Sequence, residues 1–177
     1  VTNIGVNALL RNDGNGKFTD VTTFSGTEDD GFSACSAFGD LDGDGDLDLV
    51  VTKYLDVELI TDRECLDAHS QRTYCNPTIY DAPMNDSLFI NNGDGTFTDA
   101  TESSGFSNLK GTGLGVFISD LTGDNLPDIF IANDAMPDRL WVNQGNGIFV
   151  DEAMRRNIAM DDLGAAKAGM GATPVDI

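Results

Sequence analysis

Residues 31–52 read GFSACSAFGDLDGDGDLDLVVT, and residues 111–132 repeat the design as GTGLGVFISDLTGDNLPDIFIA. In each, an apolar run enters an acidic turn and a second apolar run leaves it. The exit strands, Leu47 to Thr52 and Ile129 to Ala132, are apolar on both faces and not strictly alternating, the pattern of a strand covered on both faces. A half-buried hairpin would alternate instead.

A second motif follows each of these, and a copy of it also precedes the first. The three copies are LLRNDGNGKFTDVT at 9–22, LFINNGDGTFTDAT at 88–101 and LWVNQGNGIFVDEA at 140–153. The shared NxGxG between β-formers signals a tight hairpin turn, because glycine supplies the positive φ the turn needs. Strand, acidic loop, strand, connection, strand, NxGxG turn and strand add up to a four-stranded antiparallel sheet, the outline of a propeller blade.

The expected fold is therefore all-β, an incomplete propeller of about two full blades and two partial ones. As one repeat domain, 1–30 supplies strands 3 and 4 of a partial blade, 31–110 and 111–165 are whole blades, and 166–177 is the first strand of a further one. The acidic loops start 80 residues apart, whereas GMGATPVD at 169–176 follows GLGVFISD at 113–120 by only 56. An insertion over about 55–86 accounts for the difference. Both ends cut a blade, so the expectation is either a piece of a longer propeller or a subunit whose incomplete blades make homotypic contacts, head to tail, into a filament.

The acidic loop carries the chemistry. Ca²⁺ takes six to eight oxygen ligands at about 2.3 to 2.6 Å, and carboxylates at alternate positions of a short loop can wrap it. In the first loop Asp40, Asp42 and Asp44 are expected to give side-chain oxygens, Asp46 its carbonyl, and Asp48 a closing, bidentate carboxylate, with Gly45 permitting the turn. In the second, Asp120, Thr122, Asp124 and Asp128 take the corresponding positions and Leu126 supplies the carbonyl. Asn125 replaces the glycine as a residue that tolerates the left-handed conformation. Asp176 is the first residue of a third loop. With three carboxylates against four, the second loop should bind Ca²⁺ more weakly. An EF-hand is excluded, since its twelfth position would be Val51 or Ile131 in place of glutamate and the flanks read as strands. The NxGxG turns, Asp94 included, are read as turns and not as metal sites. Trp141, Phe18, Phe97 and Phe149 recur at repeat positions and are expected in the core.

Thirty acidic residues against ten basic ones give a formal charge of −20, which repels phosphate backbones and argues against nucleic acid as a partner. No apolar run approaches the length of a membrane span. Cys65 and Cys75, with nine residues between them in a polar segment, are expected to form a disulfide, with a metal site or free thiols as the alternatives; Cys35 is read as core. Disulfide and calcium together point to an extracellular or cell-surface setting.

The DLDGDGDLD loop, the NNGDGTFTDAT hairpin and the Cys-X9-Cys insertion running into Tyr74-Cys75-Asn76-Pro77 resemble the FG-GAP/VCBS repeats of integrin-like β-propellers, above all the cartilage acidic protein and UnbV-like family. The resemblance implies a calcium-stabilised propeller of about seven blades in extracellular or cell-surface proteins with adhesion, matrix or binding roles. Thr122 and Asn125 depart from the family loop.

The leading functional reading is a non-catalytic structural or interaction module. A polysaccharide lyase or hydrolase using Ca²⁺ as Lewis acid is the alternative from another class. One histidine, His69, no GxSxG and acidic surroundings leave it without a visible base or oxyanion site. A lectin binding a glycan or matrix ligand would need exposed aromatics near calcium, for which Tyr54, Tyr74 and Tyr80 are the supply.

Overall fold

A computed structural model describes residues 1–60 and 63–173, all-β apart from one short helix, α1 (Thr22–Ser25), and two 3-10 turns. The strands form two four-stranded and two two-stranded antiparallel sheets, and none closes into a barrel. Near the N-terminus β1 (Leu10–Gly14) pairs with β2 (Lys17–Asp20). The first meander holds β3 (Ser33–Gly39), β4 (Asp48–Lys53), β7 (Ser87–Asn91) and β8 (Phe97–Asp99), in that spatial order. The second holds β9 (Gly113–Ser119), β10 (Asp128–Asn133), β11 (Arg139–Asn143) and β12 (Phe149–Asp151). Between β4 and β7 lies the excursion that carries the small hairpin β5 (Cys65–Leu66) and β6 (Arg72–Thr73), closed by the Cys65–Cys75 disulfide.

Side-chain alternation decides which face each residue serves. From β4 and β7, Val50 and Leu88 point towards the second meander and meet Ile129, Ile131 and Trp141 there. Phe106, on the segment leaving the first meander, stacks on Trp141 with ring centroids 4.6 Å apart and meets Phe149 edge-on at 5.8 Å. The intervening residues Leu49, Val51 and Phe89 form a second cluster on the opposite face, and Leu140 and Val142 do the same for the second meander. Both exit strands are thus covered on two sides, as their unbroken apolar runs require. At about 25 cal/mol per Å² of apolar surface buried, this central cluster is the main force holding the two sheets together.

The innermost strands meet through glycine. A Cβ on Gly39 would lie 2.8 Å from Ile118 Cγ2, and one on Gly115 would lie 2.7 Å from the backbone of Gly171. Gly169 donates its N–H to Asn133 O at 2.8 Å, so the last described segment runs beside β10 as an isolated bridge without becoming a strand.

Two expectations for the core need correction. Phe18 is 60% exposed, because among the described residues no element covers that face of the β1–β2 hairpin. Cys35 is only half-buried on β3, whose alternate positions face outward. Trp141 and Phe149 are buried and Phe97 is partly so.

Candidate functional site

Each acidic loop is the short connection between the first two strands of a meander, and its last aspartate is also the first residue of the exit strand. Placed there, Asp48 and Asp128 are fully buried. Asp48 Oδ2 accepts Leu41 N–H at 2.7 Å, and Oδ1 accepts Asn91 N–H at 2.9 Å. Asp128 repeats this with Leu121 N–H at 2.9 Å and Asn143 N–H at 3.0 Å. One carboxylate therefore ties the loop's start to its end and to the third strand. Burial pushes the Asp48 carboxyl upward, against the pull of those two N–H groups and with help from Asp42 and Asp44.

The first aspartate of each loop folds the turn. Asp40 accepts from Gly43 N–H at 2.8 Å and Gly45 N–H at 3.2 Å. Asp120 accepts from Gly123 N–H at 2.7 Å and Asn125 N–H at 2.9 Å, and these bonds, Asn125 first, hold its carboxyl below the ordinary range. Asn125 stands at φ 69° where the first loop has Gly45 at φ 96°, so the asparagine takes the left-handed role its side chain tolerates. Asp44 Oδ1 accepts Asp46 N–H at 2.8 Å, and Asp124 Oδ1 accepts Leu126 N–H at 2.9 Å.

Of the residues singled out in the first loop, Asp40, Asp42 and Asp48 bring carboxylate oxygens within 4.8 Å of one another. One cation with oxygen ligands at about 2.4 Å spans that distance. Asp44 lies outside this trio. The Asp46 carboxylate leans towards the β7–β8 turn, where a Cβ on Gly93 would come within 2.9 Å of its Oδ2. In the second loop no such trio forms among the described residues, but Thr122 Oγ1 is buried without a hydrogen-bond partner. A buried hydroxyl oxygen left without a partner fits an additional oxygen-seeking ligand at that loop. Asp176 lies outside the described residues.

The residues that the sequence reading missed are asparagines. Asn12, Asn91 and Asn143 open the three NxGxG turns, and each accepts, through Oδ1, the N–H of the glycine two residues on, at 2.9 to 3.0 Å. Asn91 Nδ2 also donates to Leu47 O at 3.0 Å, and Asn143 Nδ2 donates to Pro127 O at 3.1 Å. Asn143 Nδ2 reaches Leu41 O of the other meander as well, at 2.8 Å, so the first loop is fastened to the second sheet. The shared asparagine in three aligned turns was the available signal.

At the opposite edge, Asp86 Oδ1 accepts Lys53 N–H at 2.9 Å and Asp138 Oδ1 accepts Asn133 N–H at 2.8 Å, a second pair of structural acids in matching places. Burial pushes the Asp86 carboxyl up to about 7, with the Lys53 N–H and the charges of Arg139 and Lys53 drawing it partly back.

The protein-family model for the FG-GAP-like repeat matches residues 1–51 and 78–131, more than half of the chain. The gap between the two matches contains the disulfide-bearing hairpin. No curated protein matches the chain.

Proposed function

Because the chain belongs to the FG-GAP-like repeat family, we propose that it is a non-catalytic, calcium-bound module of an extracellular or cell-surface protein, its meanders serving as propeller blades for structural or binding roles. The observation that carries this reading is the convergence of Asp40, Asp42 and Asp48 in a turn whose backbone is already pinned by Asp48. Three carboxylates held that close repel one another unless a cation intervenes.

The first loop would hold Ca²⁺ with the side chains of Asp40, Asp42, Asp44 and Asp48 and the carbonyl of Asp46. The second would use Asp120, Thr122, Asp124 and Asp128 with the carbonyl of Leu126. The bound ion supplies positive charge that relieves carboxylate repulsion. The chain's own part is to fix the turn, through Asp40 and Asp120, and to join it to the next strands, through Asp48 and Asp128.

Titration calorimetry with calcium tests the reading. Two binding events are expected, the tighter one abolished by Asp42→Asn and the weaker by Asp124→Asn. Absence of heat at millimolar calcium, or a tighter second loop, would overturn it.

A further inference from the structure

The excursion between β4 and β7 does more than lengthen a connection: it roofs a cavity of about 120 Å³ against the second meander. Tyr54, Leu55, Pro77 and Pro83 line it from the excursion, and Asp134 and Met136 from the segment after β10. This is the edge away from the acidic loops, since the chain reverses at each antiparallel strand.

The polar end of the cavity is built around Asp134. Its Oδ2 accepts the Tyr54 hydroxyl at 2.6 Å, and among the described residues nothing donates to Oδ1. The Tyr54 ring is itself held by an edge-on contact with Phe32, centroids 5.4 Å apart. Burial, and then the Asp134 carboxylate, push the phenol upward, so Tyr54 remains a donor and Asp134 the acceptor. A second acid, Asp81, lines the cavity as well, and among the described residues no lysine, arginine or histidine does. Two non-glycine residues at this cavity, Ala135 at φ 55° and Asp81 at φ 46°, stand in the left-handed region. Such conformations persist where surrounding structure imposes them, and they gather at binding sites.

We propose that this cavity receives the guanidinium group of an arginine side chain from a partner protein, with Asp134 as its carboxylate. The volume is well below the roughly 300 to 1,000 Å³ of a site for a whole small molecule, so a side-chain head group is the fitting occupant. Acid without neighbouring base selects a cation. Walls of proline, tyrosine and methionine select a flat, weakly hydrated cation over a compact, strongly hydrated ammonium. The Tyr54 hydroxyl occupies Oδ2, which leaves Oδ1 to accept the incoming N–H groups.

The test uses the full chain and N-acetyl-argininamide, followed by backbone amide chemical shifts in calcium and again in chelator. Because the cavity shares no residue with the acidic loops, its result is independent of the calcium reading. Saturable shifts around Tyr54 and Asp134 are expected, with a Kd on the order of 1 mM for a probe of this size. The neutral citrulline analogue should bind at least tenfold more weakly, and so should the arginine probe to Asp134→Asn. Tyr54→Phe, which keeps the ring and frees Oδ2, should bind a few-fold more tightly and serves as the check if Asp134→Asn unfolds. Equal binding of citrulline, equal or tighter binding of the lysine analogue, weaker binding to Tyr54→Phe, or no saturable shift would each overturn the proposal.

Discussion

Replacing Asp48 by alanine separates what this aspartate does for the backbone from what it does for a metal. Its two oxygens each accept a backbone N–H, from Leu41 at 2.7 Å and Asn91 at 2.9 Å, and the residue is fully buried. Hydrogen bonds to a charged group contribute about 1.5 to 3 kcal/mol each, and a buried donor left without a partner costs about 1 to 3 kcal/mol. The cost of burying the charge, visible in the upward push on its carboxyl, offsets part of this. A net loss of about 3 to 4 kcal/mol is expected in chelator, where no metal contributes. Asp42→Ala gives the contrast. Its side chain is exposed and among the described residues accepts only Asp44 N–H, at 3.2 Å, so in chelator the loss should stay below about 0.5 kcal/mol.

Urea unfolding followed by fluorescence reads both. The single tryptophan, Trp141, is buried between the two meanders and stacked on Phe106, so its signal reports their separation. In calcium the order is kept but the gap narrows: Asp42→Ala should lose most of the stabilisation that calcium gives the parent, while Asp48→Ala stays the weaker protein in both media. If the two variants are equally stable in chelator, within about 0.5 kcal/mol, Asp48 is only a metal ligand and its role as an inter-strand clamp is refuted.

Asp86 gives a pH signature. Its folded carboxyl sits near 7, above the unfolded value of about 4. The stability it allows is thus full below pH 4 and lost as pH rises through 7, by at most about 4 kcal/mol. The urea midpoint of Asp86→Asn should therefore depend less on pH than the parent's between pH 4 and 8, the difference between the two proteins being the measured quantity. Phe106→Ala removes a fully buried ring from the central cluster and should cost about 3 to 5 kcal/mol in the same urea assay, with a changed Trp141 emission. Reducing Cys65–Cys75 should leave the meanders intact. The hairpin it closes is joined by only two pairs of residues and is mostly exposed, so limited trypsin should cut faster at Arg63 and Arg72 while the Trp141 transition moves little.

The sheets were legible because their signals are local. Apolar exit runs, turn glycines and the doubled motifs in 31–52 and 111–132 mark both meanders and the excursion between them. Trp141 and Phe149 are buried because Phe106 and the facing side chains of the first meander cover them. Phe18 sits at the same repeat position, yet its burial depends on a neighbour that its own strand cannot specify. In the loops, spacing pointed to the acids and gave each a place around a cation, but could not show which of them the backbone uses. Counting carboxylates treats Asp48 like Asp42, whereas the fold commits both oxygens of Asp48 to backbone N–H groups, one of them 43 residues away. The asparagines were missed for a related reason. A turn motif explains Asn91 and Asn143 locally, through their bonds to Gly93 and Gly145, and hides the bond from Asn143 to Leu41 across 102 residues.

The two edges of the meanders obey different constraints. At the acidic-loop edge, a clamp built from one aspartate and one asparagine recurs in both sheets with matching partners: Asp48 with Asn91, and Asp128 with Asn143. A substitution there disturbs a bond between strands, and through Asn143 a bond between sheets. The opposite edge repeats only the backbone anchors Asp86 and Asp138. Beyond them the two sheets differ, with a long disulfide-closed excursion after β4 and a short connection after β10. Variation in length is cheap where an exposed loop leaves and re-enters at fixed anchors, since closure entropy grows only slowly with length. The same economy makes this the edge on which recognition can be built without altering the sheets. The cavity at Tyr54 and Asp134 is formed there, one wall from the excursion and the other from the neighbouring sheet, so it exists only while the two meanders stay packed.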